Sequence, residues 1–224
     1  MKLTIIANWK MNPVTLKEAK RLFDLAAKRI KNKKNVEVVI CPPFVYLPHI
    51  LNTKYNIQIG AQNCFWEEKG AFTGEISPLM LRNLGVEYVI IGHSERRKYL
   101  NETDEMINKK LKMAIVAGLK PILCIANLTQ LKNSLKRISE KIIIAYEPVF
   151  AIGTGKPCSI EMAKKMRNSI KYPVALYGGS VNSKNAADYI KMAGFQGLLV
   201  GGASLNPKEF IILVKNIDSL TEKR

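Results

Sequence analysis

The chain has 224 residues, 47% of them apolar, and a formal net charge of +17. That length suits one α/β barrel of roughly 200 to 250 residues as well as two smaller domains, so size alone does not divide it. No run of about 18 apolar residues occurs, which argues against a membrane-spanning helix.

In chain order, one unit repeats: a short apolar run, a small or polar tip, then an amphipathic helical stretch. Predicted strands are Leu3–Ala7, Val36–Ile40, Ile57–Ala61, Tyr88–Ile91, Pro121–Ile125, Ile142–Tyr146, Val174–Tyr177 and Gly197–Val200. The stretch Met1–Asn8 is too short and too soon polar for a signal peptide and reads as the first strand. A capping box, Thr15 with Glu18, opens a helix over Leu16–Ile30. Ser77-Pro78 opens another, and Glu102–Ala117 stops before Gly118. Serine caps start helices over Ser159–Ser169 and Ser183–Met192, and Asn206-Pro207 starts a last one towards Asp218. Strand–helix alternation implies a parallel sheet, and eight units point to a closed (β/α)8 barrel. No linker or low-complexity run divides 1–224, so the expectation is a single barrel domain.

Lysine is spread over nearly every predicted helix, for example Lys17, Lys20, Lys109, Lys110, Lys112, Lys164, Lys165, Lys184 and Lys191. A nucleic-acid surface would concentrate the basic residues and interleave aromatics, so no nucleic-acid partner is expected. The densest run, Lys31-Asn-Lys-Lys34, sits at a predicted helix end, where cations favour the dipole. Most of the charge reads as solvated helix faces whose long-range field favours a small anion. Cys41, Cys64, Cys124 and Cys158 show no metal or redox spacing and read as reduced thiols of a cytoplasmic protein.

Barrel chemistry collects at the C-terminal strand ends. There the chain has Asn8-Trp-Lys10, Gln62-Asn63, Gly92-His-Ser-Glu-Arg96, Glu147, Gly178-Gly-Ser180 and Gly201-Gly-Ala-Ser204. Glu147 ends an apolar strand and is followed by Pro148, a short apolar segment and Gly153-Thr-Gly155, the makeup of a lid over a base. A β–α loop with a solvated Glu has the same makeup. The glycines of the seventh and eighth tips expose backbone N–H groups suited to a phosphate, although double glycines also occur as plain turns. His93 precedes a predicted helix start, which disfavours an imidazolium. It reads as a neutral hydrogen-bond donor to substrate or as a packed rim histidine. Lys10, on an inward tip, reads as an anion partner held by Asn8, while His49 reads as structural.

Taken together, Asn8-Trp-Lys-Met-Asn12, Gly92-His-Ser-Glu-Arg-Arg97, Ala145–Lys156, Tyr177-Gly-Gly-Ser180 and Val200–Leu205 resemble the motifs of the triosephosphate isomerase family. Gln62-Asn63 and Gly70–Ser77 resemble its third loop, and the resemblance runs in order from residue 3 to about residue 207. It implies a glycolytic and gluconeogenic isomerase that interconverts D-glyceraldehyde 3-phosphate and dihydroxyacetone phosphate without metal or organic cofactor. Glu147 would be the base, His93 the neutral electrophile, and Lys10 the enediolate-stabilising cation positioned by Asn8. Gly153, Ser180, Gly201 and Gly202 would bind the phosphate. Glu95 would support the site, and Tyr177 with Ser180 would hold a lid over 148–158 shut. The family is normally a homodimer, which implies pairing through loop 64–75, with Thr73 at its tip and Arg96–Glu102 as an ion pair nearby. The chain departs from the family at Phe150 (usually Trp) and at Ala126-Asn127 (commonly Gly-Glu). Its Cys124–Glu147 segment is short, which implies a trimmed fifth helix region. Other readings of the same rim are a different phosphate-binding barrel enzyme (an epimerase or an indole-pathway lyase), a basic nucleic-acid module, or a catalytically silent barrel.

Overall fold

The computed structural model describes residues 2–30, 32–51, 55 and 57–221. Elements follow in chain order: β1 (Leu3–Asn8), α1 (Leu16–Ile30), β2 (Val36–Cys41), α2 (Leu47–Leu51), β3 (Gln58–Ala61), α3 (Pro78–Leu84), β4 (Tyr88–Ile91), α4 (Ser94–Tyr99), α5 (Asp104–Val116), β5 (Lys120–Ile125), α6 (Leu128–Ser134), β6 (Ile143–Tyr146), α7 (Ile160–Ser169), β7 (Ala175–Tyr177), α8 (Ala186–Lys191), β8 (Gly197–Val200) and α9 (Pro207–Asp218). Each strand pairs in parallel with the next, and β1 pairs with β8, so the sheet closes into a barrel.

Parallel strands covered on both faces read as continuous apolar runs, and strand side chains alternate between the faces. Ile6, Val39, Tyr88, Ile90, Ile122, Cys124, Ala145, Leu176 and Leu199 fill the barrel interior. Their neighbours, such as Ile5, Ile40, Val89, Leu123, Ile144 and Leu198, form the larger layer shared with the helices. The same alternation turns Glu147 inward after Ala145, and Asn8 inward after Ile6.

Helix starts follow their caps. Thr15 and Glu18 exchange the two bonds of a capping box (Glu18 N donates to Thr15 Oγ1 at 3.2 Å, Thr15 N to Glu18 Oε2 at 3.3 Å). Ser77, Ser159 and Asn206 cap α3, α7 and α9 through their side-chain oxygens. The β5–β6 segment carries a single helix of 7 residues, α6. Asn127 caps it by accepting from Gln130 N at 2.9 Å, and Gln130 Oε1 accepts from Ala126 N at 2.7 Å. Leu131, Leu135 and Ile138 of this segment pack on the core.

Four sequence expectations change. The helix expected from Ser183 starts at Ala186. The Asn182 side chain instead accepts from the amides of Lys184 and Asn185, a local turn that competes with helix, and Ser183 N donates to Glu209 Oε1 at 2.6 Å. The helix expected from Glu102 starts at Asp104, because Thr103 is the cap and Glu102 turns into a buried ion cluster. Lys110, expected on a solvated face, is 2% exposed and donates to Glu102 Oε1 and Asn63 Oδ1. In the basic run after α1, Lys33 pairs with Asp218 Oδ2 at 3.2 Å, and Lys31 lies outside the described residues. Strand ends otherwise differ from expectation by one residue at most.

Candidate active site

Lys10 lies just past β1 with a positive φ of 55°, a conformation that costs a non-glycine residue about 1–2 kcal/mol. Its backbone is held from both sides. Lys10 N donates to Asn8 Oδ1 at 3.0 Å, and Gln62 Nε2 donates to Lys10 O at 2.8 Å and to Cys41 O at 2.9 Å. Its ammonium meets Glu95 Oε1 at 2.5 Å. Sequence reasoning assigns Gln62 no role beyond its motif. Its partners are distant in sequence and brought together by β1, β2 and β3.

His93 is the N-cap of α4, and its Nδ1 accepts from Glu95 N at 3.3 Å. That bond leaves Nε2 to carry the proton of a neutral ring, and Nε2 stands 3.0 Å from Glu147 Oε1. The other carboxylate oxygen, Oε2, accepts from Ser94 N at 3.1 Å. Sequence reasoning misses Ser94 as well: an amide in the first turn of a helix marks a free donor but not its partner. Glu147 is 2% exposed, and a Cβ on Gly178 would stand 3.2 Å from its Cγ. A side chain at position 178 would therefore crowd the carboxylate.

Burial is the strongest influence on Glu147 and would raise its pKa. The charge and hydrogen bond of His93, with the Ser94 amide, outweigh it and hold the carboxyl below its usual value. Burial likewise works to lower the pKa of His93, but the adjoining Glu147 carboxylate overrides it and the net direction is up. The neutral ring expected from the helix N-terminus is thus opposed by Glu147 in this arrangement, and is favoured once that carboxylate turns away or takes a proton. Cys124, beneath them in the barrel, is pushed well up by burial and then by Glu147, so it stays a thiol.

One cavity of about 320 Å³ is lined by Asn8, Lys10, His93 and Glu147 together with Gly153, Ser180, Gly201 and Gly202. The short 3₁₀ turn Gly202–Leu205 starts beside it. Glu95 and Tyr177 stand outside this lining, Glu95 against Lys10 and Tyr177 fully buried below the lid. Tyr177 Oη accepts from Cys158 N at 3.0 Å, and Ser180 Oγ donates to Ala151 O at 2.5 Å. Both ends of the lid are thereby tied to the seventh tip, while the stretch 153–157 between them is exposed. Phe150 is 57% exposed. A second cavity of about 540 Å³ shares Glu147, Ile152 and Gly153 and continues past Tyr99 and Gln130. The smaller cavity collects the convergent polar groups and the bare backbone.

The family model described as triosephosphate isomerase matches residues 3–217. The chain belongs to the triosephosphate isomerase family. It is 44% identical to the triosephosphate isomerase of Caldanaerobacter subterraneus subsp. tengcongensis, over 96% of this chain and 99% of that one. It is 41% identical to that of Aquifex aeolicus over the same shares. The crystal structure of triosephosphate isomerase from Bartonella henselae superposes with a TM-score of 0.83 at 31% identity, covering 96% of this chain and 99% of that one. The alignment to the Caldanaerobacter isomerase spans 248 positions, more than this chain has residues, so that relative carries residues absent here. Among the described residues, no helix is long and apolar enough to cross a membrane.

Proposed function

We propose that this triosephosphate isomerase family member interconverts D-glyceraldehyde 3-phosphate and dihydroxyacetone phosphate in glycolysis and gluconeogenesis, in the cytoplasm. Glu147 takes a proton from one of the two carbons beside the oxygens and returns it to the other. His93 Nε2 hydrogen-bonds the carbonyl oxygen as it gains charge, and a proton passes between the two oxygens. The Lys10 ammonium stabilises the enediolate and the phosphate. A Glu base working with a neutral His electrophile is a known case of pKa tuning in triosephosphate isomerase. Backbone N–H groups around Gly153, Ser180, Gly201 and Gly202 hold the phosphate, and the lid keeps water from the intermediate. The observation that carries the reading is one cavity lined by a carboxylate, an imidazole, an ammonium and a glycine cradle. The proposed reaction calls for no metal, organic cofactor or nucleic acid. The test is coupled-assay turnover of glyceraldehyde 3-phosphate by the purified chain. Folded protein without turnover overturns the reading.

The acid limb of kcat/KM reports the coupled Glu147–His93 pair, because the reaction needs the carboxylate ionised and the ring neutral. Glu147 holds the His93 pKa up, so the first proton gained as pH falls charges the ring, and activity is expected to fall as pH drops through that raised value. In His93→Asn the titrating ring and its charge are both gone, so the acid limb of the residual activity is expected to move and to report Glu147 alone. A pH–rate profile with an unmoved limb contradicts the coupling.

The chain is proposed to pair as a homodimer through loop 64–75. Met11 and Val14 are 91% and 86% exposed, and the Phe65, Trp66 and Phe72 rings cluster within that loop. Sedimentation is expected to give twice the 25.2 kDa chain mass, and a 25.2 kDa species sinks the proposal.

A further inference from the structure

We infer that α6, the helix between β5 and β6, fixes the ring of His93 through a chain of partly buried polar contacts: Ser134 and Asn133 to Asp104, Asp104 to Arg97, and Arg97 to Gly92. The catalytic part of this inference rests on the proposed role of His93.

Ser134 ends α6 and is fully buried, and a buried hydroxyl costs free energy unless it is bonded. Its Oγ donates to Asp104 Oδ1 at 3.2 Å. The preceding residue reaches the other oxygen, with Asn133 Nδ2 donating to Asp104 Oδ2 at 3.2 Å. α6 is pinned a second time, because Asn108 Nδ2 on α5 donates to Ser134 O at 2.8 Å and to Lys136 O at 2.9 Å. The helix end therefore sets where the Asp104 carboxylate stands.

Asp104 in turn sets a guanidinium. Arg97 Nη1 donates to Asp104 Oδ1 at 2.7 Å, Nη2 to Ser134 Oγ at 3.4 Å, and Nε to Gly92 O at 2.9 Å. The guanidinium is a planar fork, so fixing two of its nitrogens fixes the third. The carbonyl it holds belongs to the residue before His93. Gly92 has a φ of 72°, and a Cβ there would stand 2.9 Å from Ile107 Cδ1 and 3.3 Å from Arg97 Nη2. Only glycine suits this turn, and Arg97 closes over it. With the Gly92 carbonyl clamped on one side and the Glu95 amide bonded to Nδ1 on the other, the imidazole has one direction left, towards Glu147. Arg97, Asp104, Asn133 and Ser134 are thus positioning residues. They act through backbone on a ring they do not touch.

The rival account is that α6 only covers the barrel wall. The two accounts separate in full-length protein carrying His49→Gln, which leaves His93 as the sole histidine and changes only an exposed residue of α2. In that background Ser134→Ala and Asn133→Ala are compared with the parent by ¹⁵N NMR of the imidazole and by steady-state kinetics. Arg97→Lys is the third variant, since it keeps a cation beside Asp104 but loses the fork to Gly92. The expected result is a shift of the His93 ring resonances in all three, with kcat lowered on the order of tenfold and KM nearly unchanged, as for a slightly misplaced reacting group. Lower melting temperatures with unmoved His93 resonances and unmoved kcat overturn the inference. Shifted resonances with unchanged kcat support the positioning and remove instead the catalytic role proposed for His93.

Discussion

Glu147→Gln is expected to lower turnover by roughly 10²- to 10⁴-fold, the range of a lost general base. The substitution keeps shape and volume in a site that is 2% exposed, so no cavity opens and the fold is kept. The amide oxygen can still accept from Ser94 N, while the amide NH2 takes the place of the oxygen that faces His93 Nε2 and the ring must adjust to it. The amide cannot accept the proton of a carbon acid. Phosphate binding rests on residues other than Glu147, so the affinity for a phosphate-bearing substrate analogue should stay near that of the parent. Glu147→Asp is expected to behave similarly but less severely, since the base is withdrawn by about one methylene. Turnover within a few-fold of the parent in Glu147→Gln would place the base elsewhere.

The strands are legible in the sequence because burial on both faces leaves them as apolar runs, and because barrel chemistry concentrates at their ends. Lys10, His93, Glu147 and the two glycine tips can therefore be singled out as strand-end candidates, although their roles come only with the family resemblance. Partnerships are not legible. Gln62 holds the strained Lys10 backbone from the end of β3, and Ser94 holds Glu147 across two tips. Such bonds depend on barrel closure, and no local period encodes them. Ser183 misleads for the opposite reason: its signal is local and correct for a cap, but Asn182 offers the backbone a competing turn. Lys110 misleads because lysine on a helix usually faces water, and its partner Glu102 precedes the helix that carries it. The distance between the sequence reading and the fold is therefore one of side-chain pairing, not of elements.

Pairing of this kind sets the largest expected loss of stability. Glu102 Oε1 accepts from Arg96 Nε at 2.6 Å and from Lys110 Nζ at 2.5 Å, and Lys110 also donates to Asn63 Oδ1 at 3.0 Å. Glu102 is 5% exposed, and its Oε2 has no partner among the described residues. Glu102→Gln would strand the Lys110 ammonium without its counter-charge, which costs about 3–5 kcal/mol for a buried pair. For a domain of this size each kcal/mol moves the melting temperature by about 2–4 °C, so thermal denaturation should show a drop of roughly 6–20 °C. The exposed pair Lys120–Glu87 supplies the contrast: its side chains are 56% and 37% exposed, and Glu87→Gln should cost no more than about 1 kcal/mol. Removing both buried charges tests the mechanism itself. In Glu102→Leu with Lys110→Met the buried ammonium is gone and apolar groups of similar volume take its place, while Arg96, whose side chain is 28% exposed, can turn to water, so much of the loss should return. A single variant that melts with the parent, or a double variant less stable than the single one, would show that desolvation of Lys110 is not what Glu102 opposes.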